Sequence, residues 1–354
     1  MQTDDLQNAD LSALGYRMPA EWEPHEATWF AWPHKLETWP GKFEPIPAVY
    51  AQLVRALSAS EEVRILVNDG EEEKAARKVL KEHRADASTV HFYHIPTNDV
   101  WVRDHGPIFV KSAVHKPGLI AIDWGYNSWG DKYPPYDLDD VVPHHVAKAL
   151  KLPVVDGGMI LEGGSIDVNG AGVLLTTEAC LLNKNRNPHM EKDEIEERLK
   201  RFLGVRKVLW LGDGIEGDDT DGHVDDLTRF VNETTLVTVV ESDKTDVNYG
   251  VLQDNIDRLS DMTDLNGRKF EIAKLPMPNP IEYDGTRLPA SYANFYIGNS
   301  VVLLPTYDSG KKDDQAAEIL KDFFPGRKIV SIRSTDLVWG LGSFHCISQQ
   351  QPVR

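Results

Sequence analysis

Cysteine is scarce: Cys180 and Cys346 are the only two in 354 residues. Two thiols make no disulfide framework, so a reducing compartment is expected. No apolar run reaches the length of a membrane span. Met1 to Asp10 is polar and acidic, with neither a basic start nor an apolar stretch. No secretory signal is visible there, and a cytoplasmic location is expected. Positive charge is also short, since 38 Lys and Arg stand against 56 Asp and Glu for a net charge of −18. Such a surface repels nucleic acid and anionic membranes and attracts cations, although plain solubility would account for it too. Several catalytic signatures are missing. The run Gly340-Leu341-Gly342-Ser343-Phe344-His345 lacks the third glycine of a dinucleotide fingerprint and lies at the wrong end of the chain. There is no phosphate-binding Walker loop, kinase signature set, Gly-x-Ser-x-Gly elbow or His-Glu-x-x-His zinc helix.

What is present reads as one globular α/β domain spanning 1–354, with 1–15 as a loose N-terminal segment. A single layout recurs: a short polar motif beginning a strand, a turn, a second strand, an amphipathic helix and a third strand. Four hairpins show the first half. Ile108 to Val110 precedes Leu119 to Ile122, and Ser165 to Val168 precedes Val173 to Thr176 across Asn169-Gly170, a strong hairpin signal. Leu227 to Val231 precedes Leu236 to Val240, and Asn294 to Ile297 precedes Val301 to Leu304. Helical stripes supply the second half. Ile195, Leu199, Phe202 and Leu203 share one face before the stop at Gly204, and Ala316, Ala317, Leu320 and Phe324 repeat the pattern. The polar motifs recur about every fifty to seventy residues. An extra unit is expected around His25 to Trp32. Five ββαβ units closed in a ring would put the helices outside and bring the strand starts together on one axis.

Four clusters could carry chemistry there. Cys346 follows the glycine-rich run 340–342, which lets backbone approach a ligand, and it is flanked by polar residues that a core strand would not choose. A nucleophilic thiolate needs a base or cation nearby. His345 is adjacent but would face the opposite side of a strand, so it reads as structural. His223 is the better base; on a strand it would share a face with Asp225. Trp101-Val102-Arg103-Asp104 offers a ligand carboxylate in Asp104 and a wall in Trp101. Leu161-Glu162-Gly163-Gly164 puts two glycines at a crowded strand start, with Glu162 able to orient His223 or grip substrate. Each cluster alone also reads as ordinary turn and packing residues, and a mixed Asp/His metal site stays open by ligand type. Together they set a thiol, an imidazole and several carboxylates at equivalent positions. A planar, cationic, N–H-rich guanidinium suits paired carboxylates, and its carbon can be attacked by a thiolate.

From Met18-Pro19-Ala20-Glu21-Trp22 to Pro352 the chain resembles the agmatine deiminases, a branch of the guanidine-modifying pentein superfamily that includes bacterial-type peptidylarginine deiminases. The resemblance is carried by Trp101 to Pro107, Glu162-Gly163-Gly164, Leu174 to Asn183 with Asn185-Arg186-Asn187-Pro188, Gly217 to Asp226, Ala293 to Tyr296, and His345-Cys346 to Gln350. It implies a five-fold pseudosymmetric α/β propeller (pentein) with no metal or organic cofactor. It implies Cys346 as nucleophile, His223 as general acid/base and Glu162 as its support. Asp104 and Asp225 would grip the guanidinium, with Asp219 a further candidate for substrate contact and Cys180 a core residue. The implied activity is hydrolysis of agmatine to N-carbamoylputrescine and ammonia, a step in putrescine synthesis. The rivals are deimination of arginine or peptidylarginine, an amidinotransferase, a metal-dependent hydrolase and an inactive polyamine-binding protein. The expected partner is a cationic small molecule, with no nucleic acid and no membrane; a homodimer is compatible with the chain. One departure is Gly340-Leu341-Gly342-Ser343-Phe344, where many agmatine deiminases have Gly-Gly-Gly-Asn before the nucleophile segment.

Overall fold

The computed structural model describes residues 3–354. Five sheets repeat one topology, in which the first strand runs antiparallel to the second and the third runs parallel to it. Unit I comprises Ile108–Lys111, Leu119–Gly125 and Val154–Ile160. Unit II comprises Ile166–Val168, Val173–Thr177 and Lys207–Leu211, and unit III comprises Thr228–Asn232, Thr235–Val240 and Glu271–Pro276. Unit IV comprises Tyr296–Ile297, Val301–Thr306 and Lys328–Arg333. A right-handed parallel crossover needs a helix between its second and third strands. Val142–Leu150, Lys192–Leu203, Asn248–Asp261 and Lys311–Phe323 supply it in turn.

The local chemistry accounts for these elements. In unit II, Gly170 has φ +67 in the Asn169-Gly170 turn, where a side chain would be strained. The helix that follows starts in a capping box between Glu191 and Glu194 and ends at Gly204, whose φ is +65. Its stripe of Ile195, Leu199, Phe202 and Leu203 is buried, each side chain contributing about 1.5–3 kcal/mol relative to exposure.

The expected extra unit near His25 is not separate. The strand Gln349–Pro352, just after Cys346, needs a partner, and His25–Ala31 supplies it antiparallel, with His25 opposite Pro352 and Trp29 opposite Gln349. Glu62–Val67 then pairs parallel to His25–Ala31, and Val90–His94 adds a fourth strand. Unit V is therefore built from both ends of the chain, with Ile46–Leu57 as its crossover helix. Apolar clusters join each unit to the next: one spans units V and I and reaches Tyr296, Val301 and Leu303 of unit IV. A second spans units II to IV, and a third joins I to II. The circuit closes, which is the propeller arrangement. Of the segment 1–15, residues 1 and 2 lie outside the described residues, while Leu6 and Leu11 are buried in the third cluster.

The sequence reading of each polar motif as the start of a strand needs correction. In units I to III the motif is a helical turn ahead of the strand: Val102–His105, Gly163–Ser165 and Val224–Asp226. Residues 292–293 and 344–347 are likewise turns. The strand-face argument for His223 with Asp225, and against His345, therefore has no basis. A three- or four-residue turn carries no periodicity that could separate it from an extended segment.

Candidate active site

These turns bring the polar motifs of all five units together. Gly164 shows how tightly. A Cβ on it would lie 2.6 Å from His223 Nδ1, 2.8 Å from Asp104 Oδ1 and 3.1 Å from Asp225 Oδ2. Its neighbour Gly163 is equally constrained, since a Cβ there would sit 2.2 Å from the Arg103 carbonyl oxygen. The two glycines of unit II thus make the space in which groups from units I, II and III meet.

Asp104 is held from two sides. Gly164 N–H donates to its Oδ1 at 3.0 Å and Trp129 Nε1–H to its Oδ2 at 3.1 Å. His223 Nδ1 lies 3.8 Å from Asp104 Oδ1. Burial raises the Asp104 pKa to about 6; His223 pulls it down, and Asp225 and Glu162 push it up. His223 is held through its backbone, its N–H donating to Asp218 Oδ2 at 3.0 Å. Burial disfavours charge on its ring, but Asp104, Cys180 and Asp225 outweigh that, and the pKa is raised well above the usual imidazole value. Arg186 Nε donates to Glu162 Oε1 at 2.5 Å, and its Nη1 to Asp221 Oδ2 at 2.7 Å. Glu162, Cys180 and His223 each turn a ligand-type atom into one small space, all within 4.8 Å of one another.

Cys346 is held from units III and IV. Asn294 Nδ2 donates to Asp226 Oδ1 at 3.0 Å and stands 3.0 Å from Cys346 Sγ, while its Oδ1 accepts from His345 N–H at 2.9 Å. Sγ lies 3.9 Å from Asp225 Oδ2. Burial first, and then the charges of Asp225, Asp226 and Asp104, raise the thiol pKa well above its usual value. His345 spans the site: its Nδ1 is 2.7 Å from Asp225 Oδ2 and its Nε2 is 2.7 Å from Glu21 Oε2. Burial opposes charge on Asp225, but its contact with His345 and the charges of His345, His223 and Arg229 lower its pKa overall. Arg103 braces the nucleophile segment from behind. Its backbone N–H donates to the Cys346 carbonyl at 3.2 Å, and its Nη1 to Gln349 Oε1 and Gln350 Oε1 at 2.8 and 2.7 Å.

Above this cluster opens a cavity of about 670 Å³. Asp104 and Cys346 reach it, whereas His223, Glu162 and Asp225 are buried beneath and are not part of its lining. Trp101, Trp129, Tyr133 and Trp339 supply aromatic walls, and Glu37, Asp99, Asp219 and Asp284 supply acidic groups. Asp219 stands at the wall rather than in the buried cluster, joined to Tyr133 Oη and lying 3.4 Å from Lys132 Nζ. The glycine-rich approach has a steric cause: a Cβ on Gly342 would lie 2.3 Å from the Trp101 ring, and one on Gly340 2.6 Å from Trp39 Nε1. Within this cluster two buried carboxylate oxygens, Asp225 Oδ1 and Glu162 Oε2, have no hydrogen-bond donor among the described residues. Buried polar groups are rarely left so. The arrangement can therefore receive a cation with several N–H donors beside a thiol.

Sequence reasoning singled out Asp104, Glu162, His223, Asp225 and Cys346, and the fold brings these five together. It did not find Glu21 or Trp129. Glu21 lies within the first resembling segment and Trp129 in no motif, so neither carried a local signal of chemistry. Arg186 lies within one of the resembling motifs, and its pairing with Glu162 appears only in the fold.

Comparison with known proteins agrees with this picture. Residues 17–352 match the family described as Porphyromonas-type peptidyl-arginine deiminase. The chain is 39% identical to an agmatine deiminase of Medicago truncatula, over 96% of this chain and 97% of that protein. It is 37% identical to an agmatine deiminase of Pseudomonas aeruginosa, over 96% of each. A solved structure of the agmatine deiminase of Enterococcus faecalis superposes with a TM-score of 0.89 at 33% identity, covering 98% of both chains. The chain belongs to the Porphyromonas-type peptidyl-arginine deiminase family.

Proposed function

We propose that this protein is an agmatine deiminase, hydrolysing agmatine to N-carbamoylputrescine and ammonia. The observation that carries the reading is the convergence of Asp104 and Cys346, which reach an aromatic-walled cavity, with Asp225, Glu162 and His223 directly beneath them. Asp104 and Asp225 accept the N–H donors of the guanidinium, and Trp101 flanks it. The cation's charge offsets the carboxylates that, after burial, hold the Cys346 thiol protonated, so substrate binding favours the thiolate, its proton passing to water in the cavity and returning to the sulfur when the C–S bond breaks. Sγ then attacks the guanidinium carbon. His223 gives a proton to one nitrogen, the C–N bond breaks, and ammonia leaves. Glu162 supports the imidazole. His223 next takes a proton from water, whose oxygen attacks the same carbon; the C–S bond breaks and the ureido product departs. Agmatine is preferred over arginine because the acids around the cavity outnumber its two lysines: Lys35 and Lys132 pair with Asp99 and Asp219, while Glu37 and Asp284 remain to suit an ammonium tail and repel an α-carboxylate.

No helix among the described residues is long and apolar enough to cross a membrane. The reading carries a cytoplasmic location, which suits two free cysteines, and a homodimer, to be checked by light scattering. The test of function is ammonia release from agmatine, arginine and an arginine-containing peptide, beside Cys346→Ala. Agmatine should be strongly preferred, and the variant should lose at least about a thousandfold. Activity on arginine or the peptide alone would replace the substrate, and substantial turnover in the variant would remove Cys346 as nucleophile.

A further inference from the structure

Cys180 has no part in the deimination scheme, yet it is one of three buried ligand-type groups pointing into one space. Its Sγ, an oxygen of Glu162 and a ring nitrogen of His223 all lie within 4.8 Å of one another. All three residues are at most 1% exposed. In a tetrahedral zinc site, bonds of about 2.0–2.3 Å set ligand atoms roughly 3–4 Å apart. A side-chain adjustment of about an ångström therefore closes this set around an ion. One thiol, one imidazole and one carboxylate is a donor mixture that zinc favours and that magnesium and calcium do not.

Two further observations favour this set over the neighbouring group Asp225, Asp226 and Cys346. The first is that its donor atoms are committed to nothing outside the set: Glu162 Oε2 is buried without a hydrogen bond among the described residues, and the side-chain partner of the His223 ring is Cys180, itself a member of the set. In the neighbouring group, His345 occupies Asp225 Oδ2, and Asn294 occupies both Asp226 Oδ1 and Cys346 Sγ. The second is that Glu162 is fixed for the purpose. Arg186 Nε engages Oε1, and Oε2 is left without a hydrogen bond, so the carboxylate keeps an open acceptor in the same small space as Cys180 and His223. The set lies beneath the cavity, whose lining residue Asp104 is 3.8 Å from His223.

We propose that Glu162, Cys180 and His223 form a binding site for a thiophilic divalent cation such as Zn²⁺, and that the ion shuts the enzyme down. The inhibitory consequence rests on the deiminase reading, because an ion on His223 removes the proton carrier. The binding itself does not rest on it. Cys346→Ser leaves Cys180 as the only cysteine of the chain, so any cysteine sulfur bound to a metal in that variant is Cys180. X-ray absorption of the zinc-loaded variant should show one sulfur at about 2.3 Å with nitrogen and oxygen neighbours. Titration with Co²⁺ should give a thiolate-to-metal band in the same variant, lost when Cys180→Ser is added. In the wild-type protein, saturating Zn²⁺ should cut ammonia release about a hundredfold, reversibly with chelator. Cys180→Ser should lose that sensitivity, measured against its own metal-free rate. A metal bound in Cys346→Ser by nitrogen and oxygen alone, or a cobalt band present only while Cys346 is intact, would overturn the site. Wild-type protein silent on every guanidine would sink the deiminase reading, while sulfur-ligated zinc would still uphold the site.

Discussion

Trp129 Nε1–H donates to Asp104 Oδ2 at 3.1 Å, and it does so from backbone in the left-handed region, with φ +57. Ser128 and Asp131 share that region, at φ +52 and +62. For residues with side chains it costs about 1–2 kcal/mol each. The turn is held by Asn127, whose Oδ1 accepts from Gly130 N–H at 2.9 Å and whose Nδ2 donates to the Asn185 carbonyl at 2.8 Å. Strain held in this way marks a side chain placed for a purpose. The purpose here is to keep Asp104 ionised against its burial. Trp129→Phe keeps the wall and deletes the donor. Because the lost hydrogen bond favoured the charged carboxylate, the Asp104 pKa moves up from about 6. The acid limb of kcat/KM, set by protonation of free Asp104, should therefore shift to higher pH. A variant whose limb stays in place while activity falls uniformly would reduce Trp129 to a packing residue.

Burial, and after it the carboxylates of Asp225, Asp226 and Asp104, make the Cys346 thiolate costly in the resting protein, and a bound cation offsets the carboxylates' part. Electrophile charge should then govern labelling. At neutral pH, 2-chloroacetamidinium should alkylate Cys346 faster than neutral 2-chloroacetamide by at least about tenfold beyond their ratio on a free thiol, the equivalent of one pKa unit of differential stabilisation. The check is intact-mass labelling with time. Equal relative rates would mean that the resting thiol is already ionised and that substrate charge has no part in activating it.

Gly164→Ala tests the convergence at its tightest point. The added methyl group would enter the space bounded by His223, Asp104 and Asp225, at 2.6, 2.8 and 3.1 Å. Displacing any of these by about an ångström costs on the order of a hundredfold in rate. Turnover should collapse while the circular dichroism spectrum stays unchanged. Near-normal activity would show that the site relaxes around the methyl group, and that its geometry is not set by unit II.

The hairpins and crossover helices were legible because their signals are local. Asn169-Gly170 demands a turn, and the stripe Ile195, Leu199, Phe202 and Leu203 demands a buried helix face. The five converging residues were legible because each sits in a compact polar motif at a repeated position. The turns that carry them were misread as strands, since Val224–Asp226 is a single 3₁₀ turn with no period to detect. The closing partnership of Gln349–Pro352 with His25–Ala31 joins the two ends of the chain, and no local pattern announces it. The same holds for Glu21, which meets His345 and Arg229 only in the fold, and for Trp129, whose left-handed backbone is imposed by tertiary contacts.

Leu341 is the point at which this chain departs from the glycine run of the family it resembles, and its backbone records the change. Its φ is +69 and its ψ +17, a conformation that glycine adopts freely and that costs leucine about 1 kcal/mol or more. The side chain lines the cavity between Gly340 and Gly342, on the approach to Cys346. The strain is offset by packing of Leu341 against the second apolar cluster, and at the cavity wall the side chain is expected to offer apolar contact to a substrate's methylene chain. Leu341→Gly removes both. Relief of the left-handed backbone and loss of partly buried apolar surface oppose each other, so the unfolding free energy should change by less than about 1 kcal/mol. The KM for agmatine should rise several-fold, the loss of about 1 kcal/mol of apolar contact, while kcat changes little, because the groups that touch the guanidinium are untouched. Bulkier N-alkylguanidines should gain relative to agmatine. A fall in kcat with KM unchanged would instead mean that Leu341 sets the position of Cys346, and that the departure bears on the chemistry rather than on the fit of the tail.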